Sequence, residues 1–317
     1  GSEMCIRDRS KYNYLKSGRN PWQDPYWYRT EVVLPKSYRG KKVWLILNGI
    51  NYRADVWVNG RQVADKKDIV GMFRRFKLDI TGYAHAGANN CIAIKIYQVD
   101  HPGVPTPGTQ LKVFGPVRGH SYDIFKDETL KISGGWDCAP VVRDRNMGIY
   151  QKVIVEATDE VLIENPFVVT TLPKSTTMPM KVDTGLAKVN IKLEVRNTSA
   201  KLVEGKVNAW ITLINEVKFP TYTKHMEGYL KPIKLTKKVA LRAGERKVVE
   251  LTPEDFPSLL IENPYLWYPN GYGEQYLHHM KLSFSIGGKV SDTKEFDFGI
   301  REVASGLNRV GDECGRV

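Results

Sequence analysis

The chain is 317 residues long, 42% hydrophobic and 26% charged, with 47 Lys and Arg against 35 Asp and Glu and a net charge of +12. This is the composition of an ordinary soluble globular protein, long enough for about two domains that each bury a core. No apolar run approaches the ~18 residues that a membrane span needs, and no signal peptide is visible. The basic excess is spread thinly, with 25 basic against 17 acidic residues up to position 160 and 22 against 18 after it. No basic helical stripe, zinc finger or RNP sequence accompanies it, so neither nucleic acid nor a membrane is expected as a partner.

Residues 1–10 read differently from the rest. Gly1-Ser2 looks like a tag scar, and Met4 to Arg9 looks like translated sequencing adapter, so the native frame is expected to begin near Ser10 and to lack its true start. From Trp27 the pattern is β. Trp27 to Leu34, Val43 to Leu47, Ala54 to Val58, Phe73 to Leu78 and Cys91 to Tyr97 are short runs rich in β-branched and aromatic residues, punctuated by Gly, Asn, Pro and Asp. Asn59-Gly60 predicts a tight hairpin, because both residues tolerate a positive φ.

Between Tyr97 and Leu130 the chain loses periodicity and accumulates Pro and Gly, the mark of a long functional loop. Tyr150 to Glu156 and Leu162 to Thr170 then flank a junction at Ala157-Thr158-Asp159-Glu160. Further strands are predicted at Lys188 to Val195, Lys206 to Leu213, Ile233 to Leu241, Arg246 to Leu251, Gln275 to Ile286 and Thr293 to Phe298. Only Pro253 to Leu260 has helical character. The spacing predicts an all-β chain whose second half is an antiparallel sandwich of immunoglobulin type.

Motifs for phosphate, dinucleotide or serine-nucleophile chemistry are absent, and no cofactor is expected. Four scattered cysteines make no disulfide framework, and the six histidines lack metal spacing. His278 and His279 are adjacent in a strand and should point to opposite faces, so no metal site is expected. The informative segment is Gly134-Gly135-Trp136-Asp137-Cys138-Ala139-Pro140, followed by Arg143 to Tyr150. A Trp beside an Asp suits a sugar, since the indole covers C–H patches and the carboxylate accepts hydroxyl hydrogen bonds. The plainer reading is that Trp136 closes the sandwich end while Asp137 or Asp144 pairs with Arg143 or Arg145.

Three segments in register resemble the N-terminal half of family 2 glycoside hydrolases. They are Trp27-Tyr28-Arg29-Thr30 with Asn48-Gly49 and Ala54 to Gly60; the Gly-Trp-Asp…Arg-Asn-x-Gly-Ile block at 135–149; and Leu266 to Gly273 with Phe298-Gly299-Ile300-Arg301-Glu302. The middle block is most similar to the β-mannosidase, exo-β-glucosaminidase and endo-β-mannosidase branch. The resemblance implies an antiparallel jelly-roll β-sandwich over 11–158, lacking its first strands, followed by an immunoglobulin-like β-sandwich over 159–303. Residues 304–317 would begin a linker toward a catalytic barrel.

Members of this family hydrolyse β-glycosides with retention, using two glutamates on a (β/α)₈ barrel. Only fourteen residues follow Val303, so the barrel is not expected within this chain. The chain alone is expected to be inactive, with the parent protein a glycoside hydrolase and a β-linked saccharide and the barrel as its partners. Asn215-Glu216 mimics the family's Asn-Glu acid/base pair, but it ends a strand-like run with no second glutamate motif, so no catalytic residue is assigned. By the resemblance, Trp136 and Asp137 hold the terminal sugar and Asp100 is a further substrate-binding candidate. Cys138 stands where the family usually has a second Trp. Trp44, Trp57 and Trp267 read as packing residues.

The alternatives are a free-standing lectin-like protein and a purely structural two-sandwich protein. The net charge counts weakly against a polycationic substrate, and relatives in bacteria are commonly exported, which points to a periplasmic or secreted parent. Missing edge strands would also leave backbone free for self-association.

Overall fold

A computed structural model of the chain describes residues 23–102, 122–134, 142, 144–173, 184–214, 231–303, 307–310 and 313–316, the last two as backbone. The chain divides into two compact units, 1–157 and 158–317, and both are built from β-strands.

In the first unit the strands are β1 (Tyr26–Val33), β2 (Lys42–Leu47), β3 (Ile50–Asn51), β4 (Arg53–Val58), β5 (Arg61–Val70), β6 (Phe76–Asp79), β7 (Asn89–Tyr97), β8 (Gly148–Ile149) and β9 (Val153–Thr158). One sheet runs β1-β7-β4-β5, a second β6-β2-β9, and β3 pairs with β8. Alternation sets the core. Ala54, Val56 and Val58 of β4 and Ile92, Ile94 and Ile96 of β7 turn inward and join Leu45 and Leu47 of β2, all 5% exposed or less. Between β4 and β5, Asn59 and Gly60 hold φ of 50° and 79°, as the hairpin requires. The Asn59 side chain also bonds outward, donating to the carbonyl of Tyr83 and to Asn90 Oδ1 while accepting from the Cys91 N–H.

The second unit has β10 (Val161–Thr171), β11 (Leu186–Asn197), β12 (Val203–Leu213), β13 (Ile233–Leu241), β14 (Arg246–Leu251), β15 (Leu260–Glu262), β16 (His278–Ile286) and β17 (Lys289–Phe298), then the hairpin β18 (Leu307–Val310) and β19 (Glu313–Arg316). Its sheets are β10-β11-β14, with β15 also on β11, and β13-β12-β16-β17. Val189, Ile191, Leu193 and Val195 face Val207, Ala209, Ile211, Met280, Leu282 and Phe284 across one apolar core. Two side chains of β17 tie the layers together. Ser291 Oγ accepts the Val161 N–H at 2.8 Å, and Asp292 Oδ2 accepts the Ile163 N–H at 2.7 Å, both buried.

The chain is all-β, with the jelly-roll and immunoglobulin-like sandwiches that the strand spacing and the resemblance imply. Several bounds move. β6 begins at Phe76 rather than Phe73, whose side chain is exposed, and β16 begins at His278 rather than Gln275. The helical character foreseen at Pro253 to Leu260 shrinks to one 3-10 turn at Pro257–Leu259. Alternation places His278 inside and His279 outside, as expected for neighbours on a strand.

Gly205 marks the tightest approach in the second sandwich. A Cβ there would lie 2.4 Å from the Phe284 ring and 2.6 Å from the Ser285 carbonyl, and Phe284 is fully buried with nowhere to move. Gly205→Ala is therefore expected to destabilise this unit by about 1–3 kcal/mol through overpacking. A urea midpoint equal to that of the wild type would contradict it.

Candidate functional site

The residues that flank the Gly-Trp-Asp segment on both sides, its stems, are described. One stem is the 3-10 turn Lys131–Gly134, the other runs from Asp144 into β8. Trp136, Asp137 and Cys138, with Arg143 and the Asn215-Glu216 pair, lie outside the described residues.

The stems are held by buried polar groups. Asn51, at the end of β3, is fully buried, and its Nδ2 donates to the carbonyls of Arg145 at 3.0 Å and Asn146 at 2.9 Å. Its Oδ1 accepts the Thr129 hydroxyl at 2.8 Å. From the other side, Asn146 Nδ2 donates to Ser133 Oγ at 2.5 Å, joining one stem to the other. Arg145 and Asn146 have φ of 56° and 54°, a left-handed turn fastened by the Asn146 N–H on Asp144 Oδ1 at 2.8 Å. A buried amide or hydroxyl without a partner costs about 1–3 kcal/mol, so this set of matched donors and acceptors fixes one backbone path.

Arg145 is the largest fully buried side chain among the described residues. Its Nε donates to the Pro102 carbonyl and its Nη1 to the Val142 carbonyl, each at 2.8 Å. The guanidinium therefore clasps the start of the long loop to the far stem. Next to it, burial pushes the Asp144 carboxyl above the ordinary aspartate range, opposed by the Asn146 N–H and the Arg145 charge. The loop start is pinned a second time by Asp127, whose two oxygens take the His101 N–H at 2.7 Å and face His101 Nδ1 at 2.6 Å. The ring of Tyr150 packs on Gly49, where a Cβ would sit 2.6 Å from it, and its hydroxyl bonds the Met72 carbonyl.

Asp100, the described member of the three candidate sugar ligands, is held by Arg53 in a two-pronged ion pair, Nε to Oδ1 at 2.6 Å and Nη2 to Oδ2 at 2.5 Å. Its side chain keeps 35% of its surface exposed. The remaining lone pairs of a carboxylate so held can still accept from a hydroxyl, and the fork fixes their direction.

The anchors Asn51 and Thr129 and the His101–Asp127 pair were not singled out by sequence, and Arg145 was read there only as a possible partner of an aspartate and as part of the Arg-Asn-x-Gly-Ile block. Asn51 lies 94 residues from Arg145 and 78 from Thr129, and no local signal announces such pairings. Of the tryptophans, Trp44 is buried and Trp267 packs on Gly299. Trp57 stacks on Trp27 at 5.2 Å on the outer face of the sheet. Among the described residues no group of three His, Cys, Asp or Glu side chains could hold a metal ion, and no helix is long and apolar enough to cross a membrane.

Comparison with known proteins decides the lineage. Residues 11–151 match the domain described as glycosyl hydrolase 2 galactose-binding domain-like, and residues 163–301 match the domain described as glycosyl hydrolases family 2. The chain belongs to glycosyl hydrolase family 2. Over 290 residues it is 30% identical to an exo-β-D-glucosaminidase of Amycolatopsis orientalis, which covers 90% of this chain and 22% of that enzyme. Over 275 residues it is 27% identical to a mannosylglycoprotein endo-β-mannosidase of Lilium longiflorum, covering 86% of this chain and 25% of that protein. The crystal structure of the Amycolatopsis orientalis exo-chitosanase CsxA superposes with a TM-score of 0.64 at 29% identity, over 92% of this chain and 27% of CsxA. This family 2 chain thus spans about a quarter of the length of the relatives it matches, in their N-terminal part.

Proposed function

We propose that this chain is a non-catalytic N-terminal fragment of a retaining β-glycosidase acting on β-glucosaminides or β-mannosides. In this reading 11–158 is a sugar-binding jelly roll whose 135–141 loop shapes the substrate pocket, and 159–303 is a spacer toward a catalytic barrel. The carrying observation is the buried network of Asn51, Thr129, Ser133, Arg145 and Asn146, which fastens both stems of that loop. Fixed stems limit the conformations open to the segment between them, and a segment so restricted loses less conformational entropy on binding sugar. Trp136 would stack on the ring of the terminal sugar and Asp137 would accept from its hydroxyls, with Asp100 as a further acceptor held in place by Arg53. The glucosaminidase and mannosidase relatives support the substrate class.

The chain alone is expected to give no turnover of p-nitrophenyl β-D-glucosaminide or the β-mannoside. Hydrolysis that survives Glu216→Gln and disappears on unfolding would overturn this. Reading the source DNA beyond Val317 is expected to show an open frame encoding a barrel with an Asn-Glu strand end; a stop codon there would favour a lectin. The lectin reading predicts a saturable change in tryptophan fluorescence with glucosamine or mannose, abolished by Asp137→Ala. One aromatic and one carboxylate bury little ligand, so binding to this chain by itself is expected to be weak.

A further inference from the structure

Edge strands offer unpaired backbone, and most edges of this protein are blunted. β5 carries Asp65-Lys66-Lys67-Asp68 and two register shifts against β4. β10 is broken by a bulge between Glu164 and Phe167, at Pro166. β17 has a register shift opposite Phe284, and β13 carries Lys234, Lys237 and Lys238. Apart from β1, no other edge strand among the described residues is longer than six residues. These are the usual devices against edge-to-edge pairing.

β1 is less protected: its only charged residues are Arg29 and Glu31, and neither a bulge nor a proline interrupts it. It pairs with β7 over eight consecutive residues, Tyr26 to Val33, without a register shift, and β7 is its one neighbour among the described residues. It contains no Pro, Gly or Lys, and Trp27 is 59% and Val33 69% exposed. Its outward row reads Trp27, Arg29, Glu31, Val33. Arg29 and Glu31 are exposed and satisfy each other within the strand, Nη2 to Oε1 at 2.6 Å.

That row is complementary to itself. An antiparallel copy of β1 centred on Thr30 brings Arg29 opposite Glu31 of the second copy and Glu31 opposite its Arg29. The same register sets Trp27 opposite Val33 on the outer face and Tyr28 opposite Val32 on the inner one. Aromatic against β-branched and opposite charges face to face are the favourable cross-strand pairs. A shift by two residues would bring Arg29 or Glu31 opposite its own like charge, so the charges select the register.

We propose that β1 is a homodimerisation edge: two copies of this chain join antiparallel through β1 about a two-fold axis at Thr30, fusing two four-stranded sheets into one of eight strands. The interface is isologous and closed, so it yields dimers rather than filaments. Backbone hydrogen bonds and the Trp27 and Tyr28 contacts supply the affinity, and the Arg29–Glu31 pairs supply the specificity.

The test is light scattering and sedimentation of the full chain over a range of concentrations, with charge variants. The wild type is expected to approach twice the 36.0 kDa of one chain at high concentration. Arg29→Glu and Glu31→Arg are each expected to dimerise at least ten times more weakly. An equimolar mixture of the two variants is expected to recover dimer, because one copy then presents two glutamates and the other two arginines. The double exchange R29E/E31R also restores the homodimer. Both positions are exposed and at a strand edge, so the variants keep the fold, which far-ultraviolet circular dichroism checks. A wild type that stays monomeric at the highest concentration overturns the proposal. So does a dimer indifferent to both substitutions, or a mixture no more associated than its components.

Discussion

Asn51→Ala is expected to lower the stability of the first unit by about 3 kcal/mol, or about 6–12 °C in melting temperature for a domain of this size. The Asn51 amide supplies three hydrogen bonds, to the carbonyls of Arg145 and Asn146 and from the hydroxyl of Thr129. Asn51, Arg145 and Thr129 are all 1% exposed or less, so water cannot readily replace the lost partner. Alanine leaves each of those groups short of a bond in a site that has already given up its hydration. The comparison that isolates burial is Asn48→Ala. Asn48 Nδ2 donates to the Lys152 carbonyl at 3.0 Å in an exposed setting, and its loss is expected to stay within about 0.5 kcal/mol. Similar melting points for the two variants would mean that the network does not hold the loop stems as argued. On the proposed function, Asn51→Ala also loosens the stem at Arg145 and Asn146 and weakens sugar binding.

The strands were legible wherever alternation was clean. β4 and β7 show inward Ala, Val and Ile at every second position, and Asn59-Gly60 fixes the turn between β4 and β5 by its φ requirement alone. β5 was not legible, because Asp65 to Asp68 interrupts its apolar pattern, and that interruption is what an edge strand tolerates on its solvated face. The two-residue strands β3 and β8 are too short to show a period, yet they position Asn51 and Gly148 beside the loop stems. The turn Tyr122–Lys126 is equally silent in sequence, since a single 3-10 turn carries no repeat.

The candidate site divides in the same way. Trp136 and Asp137 stand out as candidates from side-chain chemistry and from the resemblance, because a group that binds sugar has to present particular atoms. The groups that hold their loop are ordinary Asn, Thr, Ser and Arg residues whose role comes from partners far along the chain. Asp100 makes the same point, since its fork with Arg53 spans 47 positions and a bare Asp-His-Pro stretch gives no hint of it.

Acid is expected to weaken the second unit through one histidine. His278 is 2% exposed and stacks on the Phe298 ring at 5.4 Å, and burial depresses its pKa from the ordinary 6.5 to about 4, weakly opposed by a backbone hydrogen bond with Phe298. The folded chain keeps this imidazole neutral in a range where the unfolded chain protonates it. The unfolded state therefore binds more protons between pH 6.5 and 4, and stability falls as the pH falls through that window. At 1.36 kcal/mol per pKa unit the loss amounts to about 3 kcal/mol. His278→Phe removes the titration and keeps a ring against Phe298, so any packing penalty of the substitution is the same at every pH. The expected signature lies in the difference between the two proteins: followed by urea denaturation, the wild type loses about 3 kcal/mol relative to His278→Phe as the pH is lowered from 7 to 4. Carboxylates that titrate in the same range are common to both and cancel. His279 on the next position is a built-in control, because it points outward between Asp297 at 2.8 Å and Glu295 at 3.7 Å. His279→Gln changes only this exposed position and is expected to leave most of the acid slope in place. A constant difference between wild type and His278→Phe across this range would show that the buried imidazole is not the group that weakens the sandwich in acid.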